Sequence, residues 1–160
     1  MGARRAPQTG AWSQRLADLG IELPPVVAPL AAYVPAVRTG AYVYTSGQLP
    51  FVSGALAATG KVGAELGPEE AKRHARTCAL NALAAVDALV GIDSVVRVVK
   101  VTGFVASADG FTGQPSVVNG ASELLGEVFG AAGQHARSAV GVAELPLGAP
   151  VEVELIVEIG

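Results

Sequence analysis

Two runs near the end of the chain decide its fold: His135-Ala136-Arg137-Ser138-Ala139-Val140-Gly141-Val142-Ala143-Glu144-Leu145-Pro146, then Val151-Glu152-Val153-Glu154-Leu155-Ile156-Val157-Glu158. Both have the length and aliphatic content of strands, and a turn separates them. In the second run Val151, Val153, Leu155, Val157 and Ile159 share one face, while Glu152, Glu154, Ile156 and Glu158 share the other. The first face belongs under helices; the second meets solvent or a wet subunit interface. In the first run Val140 and Val142 are assigned to the core face, which sends Arg137, His135 and Ala139 to the glutamate face. A simple hairpin through residues 145–150 then sets Arg137 opposite Glu158. Two readings stay open: a cross-strand ion pair worth about 0.2–1 kcal/mol, or a planar guanidinium fork waiting for a ligand carboxylate.

The stretches upstream supply the layer that covers the apolar face. Pro68 to Val90 reads as a long helix, with proline in its first turn, Glu69 and Glu70 complementing the dipole, and Gly91 just past its end. Ala71, Ala75, Cys78, Ala79, Ala82, Val86 and Leu89 recur at helical spacing, so the unpaired Cys78 is expected in the core. Val95 to Ala106 is apolar on both sides apart from Arg97, Lys100 and Thr102, the pattern of a central strand. Pro115 opens a second helix to about Phe129, whose Asn119-Gly120-Ala121-Ser122 segment is weak by helix propensity. Before these, Val37-Arg38-Thr39-Gly40 reads as a turn and Ala41 to Gly47 as a strand; Ser53-Gly54 makes another turn. Gly47 marks either a bulge or a close approach of backbone to another group. Together these elements predict an α/β fold, a mixed sheet with two helices packed on one face.

The start of the chain differs in character. Residues 1–10 read as a polar tail, Trp12 to Leu19 as a short helix ended by Gly20, and Leu23-Pro24-Pro25-Val26-Val27-Ala28-Pro29 as an extended segment that proline bars from helix. We therefore divide the 160 residues into an extension, 1–30, and a domain, 31–160.

Composition narrows the function. Hydrophobic residues make up 51% and charged ones 16%, with mean hydropathy +0.45, yet no run approaches the roughly 18 apolar residues of a membrane span. The apolar surplus fits a subunit interface. A net charge of −3 and a pI near 5.3 give no basic footprint for nucleic acid. One cysteine, the lack of a signal-peptide pattern and the wide separation of His74 from His135 predict a cytoplasmic protein with no disulfide, metal or cofactor. Ser46-Gly47 is not a nucleophile elbow, and Gly60-Lys61-Val62-Gly63 lacks phosphate-loop spacing.

Tyr33-Val34-Pro35-Ala36-Val37, Tyr44-Thr45-Ser46-Gly47-Gln48-Leu49-Pro50, Asn119, and Ala136-Arg137-Ser138 through Leu145-Pro146 to Val151-Glu152-Val153-Glu154 resemble the YjgF/Rid family, also catalogued as L-PSP endoribonuclease-like. The resemblance runs from about residue 30 to the end. It implies a chorismate-mutase-like fold that forms a homotrimer with clefts between subunits. It also implies hydrolysis of enamine and imine intermediates such as 2-aminoacrylate to 2-keto acids and ammonia, without a cofactor. On this resemblance Arg137 binds the substrate carboxylate, Gly47 offers backbone groups near the imine or the water, and Glu152 places that water. Tyr33, Ser46 and Asn119 line the cleft. The sequence departs from the family pattern at Ala139, often cysteine in the deaminase branch, and at His135, usually proline, which marks a divergent branch. The alternatives are a non-catalytic module that binds a small carboxylate metabolite and, third, a ribonuclease.

Overall fold

The computed structural model describes residues 11–29 and 32–160. The tail expected over residues 1–10 lies outside the described residues. The alternating run near the end becomes β7 (Val151–Ile159), its odd-numbered residues buried and its even-numbered ones half-buried. It forms the centre of a five-stranded sheet ordered β1-β2-β7-β5-β6, comprising also β1 (Ala36–Thr39), β2 (Tyr42–Thr45), β5 (Val95–Ala106) and β6 (Ala136–Val142). A small hairpin, β3 (Phe51–Val52) with β4 (Ala55–Leu56), stands apart and turns at Ser53-Gly54, both at positive φ.

Two helices cover one face, α2 (Pro68–Val90) and α3 (Gln114–Phe129). Pro68 sits in the first turn of α2, which ends at Gly91 with φ +79°. Small residues let the layers close up. A β-carbon on Gly120 of α3 would stand 1.9 Å from the Lys72 carbonyl oxygen of α2, and one on Gly103 of β5 would stand 2.5 Å from a Val118 methyl. The weak helix former at position 120 is thus what brings α2 and α3 together. Leu83, Leu124, Leu125 and Leu155 are fully buried between helices and sheet, each contributing about 1.5–3 kcal/mol over an exposed position. Cys78 lies in the same core, as expected.

The described part of the N-terminal segment packs into this core too. Helix α1 (Trp12–Asp18) buries Leu16. The Trp12 indole donates to the Val95 carbonyl at 2.7 Å and meets the Phe129 ring edge-on at 5.1 Å. Both the backbone N–H and the hydroxyl of Ser13 donate to the Asp93 carboxylate, holding Asp93 below the usual carboxylate range.

Three sequence expectations need correction. Val37, Arg38 and Thr39 belong to strand β1, and the turn is the two-residue loop Gly40-Ala41 between the paired residues Thr39 and Tyr42. The two C-terminal runs do not form a hairpin. Strand β6 pairs in parallel with β5 at the sheet edge, after the crossover through α3, and β5 separates β6 from β7. Arg137 therefore faces no Glu158, whose neighbours are Tyr42 and Arg97. Third, Arg137 and Ala139 point to the helix side, while Val140 lies 43% exposed on the opposite face. That uncovered face also presents Val37, Tyr42 and Tyr44. No helix among the described residues is long and apolar enough to cross a membrane.

Candidate functional site

Strand β2 carries one residue more than its partner between the pairs Tyr44–Ile156 and Gln48–Val153. The extra residue is accommodated as a bulge. Gln48 exchanges both backbone hydrogen bonds with Val153, at 2.8 and 3.0 Å, and the Thr45 hydroxyl accepts the Leu155 N–H. Gly47 consequently lies against the side chain of Glu152. A β-carbon there would be 2.7 Å from Glu152 Oε1, so only glycine admits the carboxylate.

Glu152 and Gly47 line a cleft of about 50 Å³ together with Tyr33, Gln48 and Pro146, and Val27, Ala28 and Pro29 form a further wall. Burial first, and the negative charge of Glu154 second, raise the Glu152 carboxyl above its ordinary value. Ser46 has a supporting place: its hydroxyl donates to the Val34 carbonyl and its N–H to the Pro35 carbonyl, fixing the segment that carries Tyr33.

Arg137 is built into a different neighbourhood. Its Nη1 donates to Asn119 Oδ1 at 2.8 Å and to Ser122 Oγ at 3.2 Å, and its Nη2 to the Pro115 carbonyl at 3.4 Å. All three partners are neutral and belong to the first half of α3. Among the described residues no carboxylate pairs with this guanidinium. Ser122 in turn bonds His135 Nε2 at 2.9 Å, and His135 Nδ1 bonds the Gly133 carbonyl at 2.7 Å. The residues that weaken α3 by propensity are thus the ones that hold the arginine. Ser122 was not among the expected site residues, although its unfavourable segment had drawn notice.

The expected residues fall into two groups within one chain. Tyr33, Gly47 and Glu152 share the cleft, supported by Ser46; Asn119 joins Arg137. The groups lie on opposite faces of the sheet. Arg137 stands beside Val101 and Glu152 beside Phe104, positions three apart on an unbroken stretch of β5.

The family model for Endoribonuclease L-PSP matches residues 25–159. Protein TCP17 of Trypanosoma cruzi is 46% identical over 153 residues, 94% of this chain and 96% of that one. Among solved structures, a protein of unknown function from Agrobacterium tumefaciens is 44% identical with TM-score 0.87, covering 96% of this chain and 95% of its own. Escherichia coli TdcF with bound serine is 25% identical with TM-score 0.60, covering 86% of this chain and 93% of its own.

Proposed function

The chain belongs to the endoribonuclease L-PSP family, the YjgF/Rid proteins, and from that membership we propose that it hydrolyses small 2-imino acids and their enamine tautomers to 2-keto acids and ammonia. The observation that carries the reading is the unmatched charge of Arg137. A guanidinium pinned by three neutral oxygens, with no carboxylate of its own chain, is an anchor for a ligand carboxylate. Serine bound to TdcF is a small carboxylate of the same kind.

Because Arg137 and Glu152 lie on opposite faces of one sheet, the reading requires two copies, one lending the arginine and the other the Glu152 cleft. The apolar side chains on the uncovered sheet face supply the means of association, and a homotrimer closes it. In that cleft Arg137 holds the substrate carboxylate and Gly47 lies beside the reacting carbon. Glu152 takes a proton from water as the oxygen bonds to the imine carbon and the nitrogen is protonated. The resulting aminoalcohol loses ammonia as the carbonyl forms, and the proton held by Glu152 leaves with the nitrogen. A carboxyl raised toward neutrality suits this two-way transfer. No covalent nucleophile is needed, because an imine carbon is already electrophilic; position and hydrogen bonding suffice.

The test is the disappearance of the imine formed from 2-aminoacrylate, with wild type and Arg137→Ala compared at equal protein. Acceleration by wild type alone supports the reading, and equal rates overturn it. Tight carboxylate binding without turnover would select a binding module. RNA cleavage has no support in a chain of net charge −3 whose uncovered face carries Glu152, Glu154 and Glu158.

A further inference from the structure

A second cavity, of about 180 Å³, adjoins the Glu152 cleft and shares Val27, Ala28 and Phe51 with it. The proline-rich segment Pro24 to Ala28 forms one side, and Asn81 of α2 lines it from within the helix layer. Asn81 is 1% exposed. Its Nδ2 donates to the Leu49 carbonyl at 3.0 Å and to the Phe51 carbonyl at 3.1 Å. Two carbonyl partners fix the amide's orientation, since a flipped oxygen would face two acceptors. Oδ1 is left buried with no hydrogen-bond partner. The walls offer little to satisfy it: prolines have no N–H, the aliphatic side chains no donor, and the Ser53 hydroxyl makes no bond to it. Among the described residues no hydrogen bond ties residues 22–29 to the rest of the chain. The cavity is thus an apolar chamber with one buried acceptor, separated from the cleft carboxylate by three side chains.

We propose that this chamber is a side-chain subsite of the cleft, taking a straight, apolar substituent that ends in a hydroxyl or amide N–H. The substituent passes Val27 and Phe51 from the Glu152 cleft, and its terminal donor meets Asn81 Oδ1. The preferred substrates are then 2-imino acids with a donor-tipped side chain rather than the smallest members of the class. The proposal rests on the imine-hydrolase reading for the position of the substrate's carboxylate end, and it is tested separately from that reading.

The test titrates acetate, pentanoate and 5-hydroxypentanoate into the full-length, nitrogen-15-labelled protein and follows resonances by NMR. The subsite predicts that 5-hydroxypentanoate binds about tenfold tighter than pentanoate and shifts the Asn81 side-chain amide signals, while acetate leaves them in place. Asn81→Leu should equalise the two longer acids. Because that variant also strips two carbonyls of their donor, the wild-type Asn81 shifts carry the test if it fails to fold. Equal affinities for pentanoate and its hydroxylated form, or Asn81 signals that no acid moves, overturn the subsite and leave Oδ1 to a buried water. The carboxylate anchor is read independently: acetate should shift resonances around Arg137 in wild type and not in Arg137→Ala. Failure there with Asn81 still responding to 5-hydroxypentanoate would sink the anchor and keep the chamber as a binding site.

Discussion

The Glu152 carboxylate fills the space in which residue 47 would carry a β-carbon, with Oε1 2.7 Å and Cδ 2.8 Å from that point. Gly47 is not among the residues at positive φ, so its backbone does not demand glycine. The demand comes from the neighbouring carboxylate alone. Gly47→Ala should therefore fold, at a cost of about 1–3 kcal/mol for the overpacked methyl, and push Glu152 out of place. Displacing a group that positions water by about 1 Å lowers rate by about 100-fold. Chemical denaturation and imine-hydrolysis kinetics on the same preparation check both halves. A variant with unchanged kcat/KM would separate Gly47 from the chemistry.

Glu152→Gln should separate stability from activity. Burial raises the carboxyl's pKa in the folded chain, with Glu154 adding to it. The native state then binds more protons than the unfolded state, so stability falls as pH rises from the unfolded pKa through the folded one. That stability is fully present only below the unfolded value, about 4.3. Glutamine removes this decline. Its melting temperature should equal or exceed that of wild type at neutral pH, and the gap should shrink as pH drops toward 4. Imine hydrolysis should fall sharply over the same range. A neutral-pH melting point clearly below wild type would show that Glu152 is held by favourable contacts instead of opposed by burial.

Much of this architecture was legible because it is local. The alternation of β7, the proline and glycine at the two ends of α2, and the doubly apolar β5 each report their own environment, and each stands where expected. The place of β6 was not legible, because the partner of a strand is a tertiary fact. An edge strand has two partly exposed faces, so the valines of β6 do not reveal which way Arg137 points. Val140 lies on the uncovered face, where an apolar residue implies a partner copy rather than the chain's own core. The Arg137 support was half visible, since Asn119 and Ser122 are poor helix formers in a helix. Ser46 matched the family motif, yet its hydroxyl is engaged with the Val34 carbonyl, which pattern alone does not disclose.

Trp12 tests whether the N-terminal segment is structural. Its indole N–H satisfies the Val95 carbonyl at the start of β5 and its ring packs edge-on against Phe129 at the end of α3. Trp12→Ala should cost about 2–4 kcal/mol, the sum of one hydrogen bond and a half-buried aromatic ring. Urea denaturation reads the loss, and activity per folded molecule should be unaffected because neither contact touches the cleft or Arg137. A loss below about 0.5 kcal/mol, the range of ordinary surface substitutions, would make the segment an appendage.

His135 controls how firmly Arg137 is held. The Gly133 carbonyl accepts only, so His135 Nδ1 at 2.7 Å must carry the proton. In the neutral ring Nε2 then accepts from the Ser122 hydroxyl at 2.9 Å, and the serine oxygen keeps a lone pair for Arg137 Nη1 at 3.2 Å. Every donor and acceptor along this relay agrees with a neutral imidazole, and the serine hydroxyl loses its fixed direction if the ring is removed. His135→Leu should leave the 2.8 Å bond to Asn119 but free the serine to rotate. Losing one hydrogen bond's worth of order, about 1 kcal/mol, should weaken pyruvate binding about fivefold in isothermal titration. Glutamine at the same position, which supplies both a donor and an acceptor, should restore part of the loss. Identical dissociation constants for wild type and His135→Leu would confine the anchor to Arg137, Asn119 and the Pro115 carbonyl.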